Sequence, residues 1–113
     1  MIRELLYNNL LGVGYPVYNS STLASDPLDE SYITYFLAGS SDNSHYDNEA
    51  KSWAYDIQVV FYTTKAELLE TAPNAIRAKL KQVGFIPQGK GYELAEANGY
   101  SGWALDFTII EKL

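Results

Sequence analysis

The chain has 113 residues, 47% of them apolar, with 14 acidic and 8 basic side chains and a formal net charge of −6. That length suits a single domain, 1–113, with a core of its own, and the aromatic share of 14% excludes a disordered chain. No Cys occurs and His45 is the sole His, which excludes disulfide frameworks, thiol nucleophiles, iron–sulfur sites, His-based triads and nearly every zinc site.

In chain order, Ile2, Leu5, Leu6 and Leu10 recur at helical spacing and predict a helix near 2–11, stopped by Gly12 and Gly14. Tyr15-Pro16-Val17-Tyr18 reads as a short edge strand, where proline is tolerated. The Ser, Asp and Pro content of 19–29 marks a loop. Ser31 to Leu37 is dense in aromatic and β-branched residues and predicts a strand. Residues 39–51 hold almost nothing apolar and are expected as a long polar loop, or as an extended hairpin arm between two strands. From Trp53 to Tyr62 the residues alternate. Trp53, Tyr55, Ile57, Val59 and Phe61 form the expected core face, with Ala54, Asp56, Gln58, Val60 and Tyr62 on the other.

A helix is expected near 65–83, opened by a capping box of Thr64 and Glu67 and striped by Leu69, Ala72, Ile76, Leu80 and Val83. Pro73 predicts a kink or split near Thr71. Gly84 and Phe85 predict a left-handed helix stop with Phe85 against Leu80. A short strand at Phe85-Ile86-Pro87, a turn at Asn98-Gly99 and a last strand from Trp103 to about Ile110 complete the series. Trp53–Val60 and Trp103–Ile110 share one pattern, as two neighbouring strands with matching core faces would. The sum is an α+β domain: a mainly antiparallel sheet of four to five strands against two helices.

Charge is segregated. Residues 20–56 hold seven carboxylates against Lys51, whereas 61–113 balance at six against six. An acidic chain lacks the footprint of sequence-specific nucleic-acid binding. The first nine residues carry charge and amides where a signal peptide has its apolar run, and no stretch has the length of a membrane span. Maturation in a reducing cytoplasm is therefore expected, with Asn19-Ser20-Ser21 a chance sequon.

Catalytic motifs fall short. Gly84 to Gly91 satisfies G-x-x-x-x-G-K without the final Ser or Thr, follows a helix instead of a strand, and loses an amide at Pro87. Gly12-Val13-Gly14 lacks a third glycine. His45 has no partner ligand, and Asp42 to Glu49 has calcium-ligand residue types without the spacing. Asp56 and Asp106 occupy equivalent strand positions and are the one candidate acid–base pair, on the polar side of their strands. No cofactor, metal site or enzymatic activity is expected. Tyr32, Tyr35, Tyr46, Tyr55, Tyr62, Tyr92 and Tyr100 exceed what a small core needs. With Tyr35 and Tyr62 expected near polar sheet faces, they favour a protein–protein surface.

The run Tyr32-Ile33-Thr34-Tyr35-Phe36-Leu37 is followed by Ser41-Asp42-Asn43 and Tyr46-Asp47-Asn48, then by Phe61-Tyr62-Thr63-Thr64-Lys65, an acidic-start helix and Gly84-Phe85. About half the chain in this order resembles small tail-completion and tail-terminator-like proteins, or minor tail and neck proteins, of long-tailed phages and prophages of Gram-positive bacteria. The resemblance implies a structural virion-assembly protein without an active site. It implies a ring of six subunits, host cytoplasm followed by the virion as its location, and the tail tube protein and head–tail connector or neck proteins as partners. It also implies DNA passing through the ring, past the acidic segment. On this view Asp42, Asn43, Tyr46, Asp47, Asn48 and Glu49 of the 39–51 segment are interaction residues, together with Tyr35 and Tyr62. A head-closure neck protein, a protein-binding module outside the virion, and a small enzyme using Asp56 and Asp106 remain the alternatives.

Overall fold

Two patterned strands organise the molecule, and their side chains divide it into a covered and an open face. In the computed structural model, residues 2–19, 30–46, 49–97 and 99–112 are described, with side chains over 3–19, 30–37, 54–96 and 99–110. Helix α1 spans Ile2–Leu11, strand β1 Val17–Asn19, β2 Ser31–Tyr46 and β3 Glu49–Thr63. A 3-10 helix at Ala66–Glu70 and helix α2 at Ala72–Gln82 follow, then β4 Ile86–Pro87, β5 Tyr92–Ala97 and β6 Tyr100–Lys112. The fold is α+β. Its six strands take the order β1-β2-β3-β6-β4, with β5 also on β6. Only the β1–β2 pair is parallel among the described strands.

The repeated pattern finds its use here. β3 and β6 are antiparallel neighbours, with Ser52 opposite Lys112 and Thr63 opposite Ser101, so Ile57 faces Phe107 and Val59 faces Leu105. These residues, with Ile33 and Phe61, are buried under Leu6 and Leu10 of α1 and Ile76 and Leu80 of α2. Each such side chain contributes about 1.5–3 kcal/mol of transfer free energy. The Trp53 side chain lies outside the described residues.

The expected helix over 65–83 is split at Thr71, as Pro73 requires in the first turn of α2. Its stop is a Schellman motif. Gly84 has φ +102°, its amide donates to the Lys81 carbonyl at 3.3 Å, and the Phe85 amide donates to Leu80 at 3.1 Å. Buried Phe85 joins Leu80 in the core. The Thr64–Glu67 capping box does not form, because the helical turn starts one residue later and Lys65 stands at its N-cap without a side-chain bond. The neighbouring Thr63 hydroxyl does the local work instead, accepting from the Lys65 amide at 3.0 Å and bonding to the Ser31 hydroxyl at 2.8 Å.

Of the two expectations for 39–51, the hairpin arm is the one adopted and the polar loop is corrected. β2 continues to Tyr46 and β3 begins at Glu49, with Tyr46 opposite Glu49. Backbone pairing, not apolar periodicity, makes this segment strand. The ladder shifts register between Leu37 and Gly39, between Asp42 and Ser44, and again at His45. Toward Tyr46, Glu49 and Ala50 pair with β2 alone, because β6 joins β3 only from Ser52 among the described residues. The arm stretches the molecule to 53 × 26 × 24 Å. Its radius of gyration is 15.0 Å, against about 13 Å for an ordinary domain of this length.

Candidate functional site

Helices cover one face of the sheet, and the even-numbered residues of β3 and β6 build the other. On it, Tyr62, Val60, Gln58 and Asp56 run along β3 beside Gly102, Ala104, Asp106 and Thr108 of β6, flanked by Tyr32, Thr34 and Phe36 of β2. Tyr32, Thr34, Val60 and Ala104 are buried, so the open part of this face is the half around Asp56, Asp106 and Thr108. Alternation along a pleated strand places them there.

One end of this face is a tyrosine cluster. Tyr32 is 4% exposed, stacked on Tyr62 with ring centroids 5.1 Å apart and edge-on to Tyr100 at 5.5 Å, with Tyr18 at 6.1 Å. Gly102 makes room for it, because a side chain there would meet the Tyr62 ring and Leu94 at 3.2 Å. Burial, reinforced by the neighbouring Tyr62 and Tyr100 hydroxyls, pushes the Tyr32 phenol up from 10.0 to about 12, and burial also raises Tyr62.

The middle of the face is a polar network. The Thr108 hydroxyl donates to Asp56 Oδ1 at 3.0 Å and accepts from Gln88 Nε2 at 3.1 Å, while Gln58 Nε2 donates to the Tyr92 hydroxyl at 3.2 Å. Asp56 lies opposite Thr108 and Asp106 opposite Gln58, so the two carboxylates are diagonal neighbours on one open surface. Around them stand Phe36, Ile86, Tyr92 and Ile110, large apolar side chains between 38% and 49% exposed. Of this rim the sequence pointed only to Tyr92. The missed signal was the parity of Phe36 and Ile110 with the polar positions of their own strands.

Tyr62 is where alternation placed it, but Tyr35 is not. It faces Val59 on the helix-covered side, half-buried with its ring 6.2 Å from Tyr7 of α1. The register of β2 puts Tyr35 on the face opposite Tyr62, which corrects the expectation that both lie near the polar faces of the sheet. Asp42, Asn43 and Tyr46 lie on β2 in the arm and Glu49 begins β3, with their side chains outside the described residues. Asp47 and Asn48 lie outside the described residues altogether.

Among the described residues, two concavities lie on the helical side. A cleft of about 510 Å³ opens between Leu69, Glu70 and Asn74 and the β5–β6 hairpin, with Lys90, Glu93 and Trp103 on its wall. The Trp103 indole donates to the Lys90 carbonyl at 2.9 Å. A shallower depression of about 380 Å³ lies between Arg3, Tyr7 and Tyr35. Among the described residues no three of His, Cys, Asp or Glu gather as metal ligands, and no described helix is long and apolar enough to cross a membrane. In comparison with known proteins, no family model matches the chain and no curated protein matches it.

Proposed function

We propose that the chain is a structural virion-assembly protein that completes or terminates a phage tail tube and helps join it to the head, acting as an oligomeric ring. The observation that carries the reading is the β2–β3 arm. Strands of 16 and 15 residues run past the helix-covered core, and at the far end the arm is two strands wide. Such an element extends past the helices and offers a neighbouring subunit a strand edge to pair with. The resemblance noted above supports the same class, and the apolar-rimmed open face supplies area for association. In this reading the tail tube protein and the connector or neck proteins are the partners, six subunits close the ring, and assembly in the host cytoplasm precedes incorporation into the virion. Within the acidic stretch 20–56, the carboxylates before Asp56 then face the DNA channel, where like charge lets DNA slide without sticking.

Electron microscopy of particles made without this gene tests the proposal. Unfinished or overlong tails and unjoined heads are expected; normal tails firmly joined to heads overturn it. The second reading, a protein-binding module outside the virion, draws on the same apolar rim. A stable complex with a non-virion host protein and no ring would favour it.

A further inference from the structure

The surface of α1 and α2 is cationic, although the 3-10 helix beside α2 carries Glu67 and Glu70. The two α-helices carry Arg3, Arg77, Lys79 and Lys81 against Glu4 alone. The exposed half of the other sheet face carries Asp56 and Asp106, and no cation projects from it among the residues with described side chains. Among the described residues, six large apolar side chains are exposed, and they divide between the same two sides. Phe36, Ile86, Tyr92 and Ile110 rim the open face, and the remaining two, Tyr7 and Leu11, belong to α1. With Arg3 they are spaced by four residues, so Arg3, Tyr7 and Leu11 form one outward ridge. The ridge ends at Lys79, whose side chain lies over Gly12 just past α1.

A ridge of cation and apolar groups is the complement of a face with carboxylates in its centre and apolar groups at its rim. We infer that the exposed half of this sheet face, around Asp56 and Asp106, is the docking site for the α1 ridge of a second copy of this chain. This rests on the ring-assembly reading and names the contact such a ring would use. The two surfaces lie on opposite sides of one sheet, so the contact is head-to-tail. Each copy keeps one surface of each kind free, and association continues until the ring closes. Complementary charge fixes which face meets which, and the apolar rim provides the area removed from water.

Sedimentation velocity on the purified full chain tests this. Association rising with concentration is expected. Asp56→Lys with Asp106→Lys, and separately Arg3→Glu with Lys79→Glu, should each weaken it about tenfold or more, because like charges then oppose across the contact. Circular dichroism confirms that the variants fold, and Arg3→Glu alone serves if Lys79→Glu disturbs the Gly12 contact. Mixing the two reversed chains in equal amounts should restore association past dimers, since each reversed face again meets its opposite. A wild-type chain that stays monomeric, reversals without effect, or a mixture that stops at dimers overturns the contact. Normal tails without the gene would overturn the virion role and leave this contact standing. Defective tails with a strictly monomeric chain would do the reverse.

Discussion

Gly89 and Gly91 share φ +84° and differ in what surrounds them, so replacing each by alanine separates backbone strain from steric clash. An added Cβ at Gly89 meets nothing within 4 Å. At Gly91 it would strike the Ala104 carbonyl, stand 2.5 Å from Trp103 Nε1 and come within 2.8 Å of Leu105 Cδ2. The left-handed conformation costs an alanine about 1–2 kcal/mol, and that is the whole expected loss for Gly89→Ala. Gly91→Ala adds a displaced indole bond to Lys90, about 1 kcal/mol, and overpacking against buried Leu105, about 1–3 kcal/mol. The difference between the variants should be at least about 2 kcal/mol, a large share of the roughly 5–15 kcal/mol that holds a domain together. Urea unfolding followed by tryptophan fluorescence reads it as a midpoint lower by about 1 M at equal slope. If the two variants lose stability equally, within about 0.5 kcal/mol, the close approach of Gly91 to β6 is refuted.

Three further outcomes follow from the geometry. Thr63→Ala should cost about 1–2 kcal/mol by breaking the bonds to Ser31 and Lys65, whereas Thr64→Ala should be nearly neutral; equal losses in urea unfolding would restore the capping box. Tyr32 binds its proton more tightly folded than unfolded, so its contribution is complete below pH 10 and fades as pH rises toward about 12. Unfolding at pH 8 and pH 11 should show that decline, and Tyr32→Phe should flatten it. Replacing residues 43–52 by a two-residue Asn-Gly turn removes the arm beyond the Asp42–Trp53 pair and spares the buried core. The shortened chain should stay folded by circular dichroism yet fail to complete tails, and normal tails with it would dismiss the arm as an assembly element.

Where burial drives structure, the residues announced it. The Trp53 and Trp103 strands declared their pairing by matching apolar alternation, and Pro73, Gly84 and Phe85 set the split and stop of the helices through backbone constraints local to themselves. The arm was only half legible, because residues 39–51 hold no apolar period and become strand through pairing of 39–46 with 49–56. Tyr35 was misplaced because its face depends on register with β3, and register is a tertiary property. The capping box failed by one residue, within the usual uncertainty of helix ends. The open face was legible as a polar stripe, whereas its apolar rim gathers residues from β2, β4, β5 and β6 that no single window contains.

The position of β6 also governs the order of folding. β2 and β3 are joined by a hairpin and can zip locally, and β5 turns directly into β6. β3, however, is completed on its second side only by residues 101–112, about fifty positions further along. Until they arrive, the edge of the strand carrying Ile57, Val59 and Phe61 has no partner. Closing so long a loop makes docking of β6 the slow step. During that interval the half-built sheet offers its most apolar strand to other chains, so aggregation during synthesis competes with folding at this one junction.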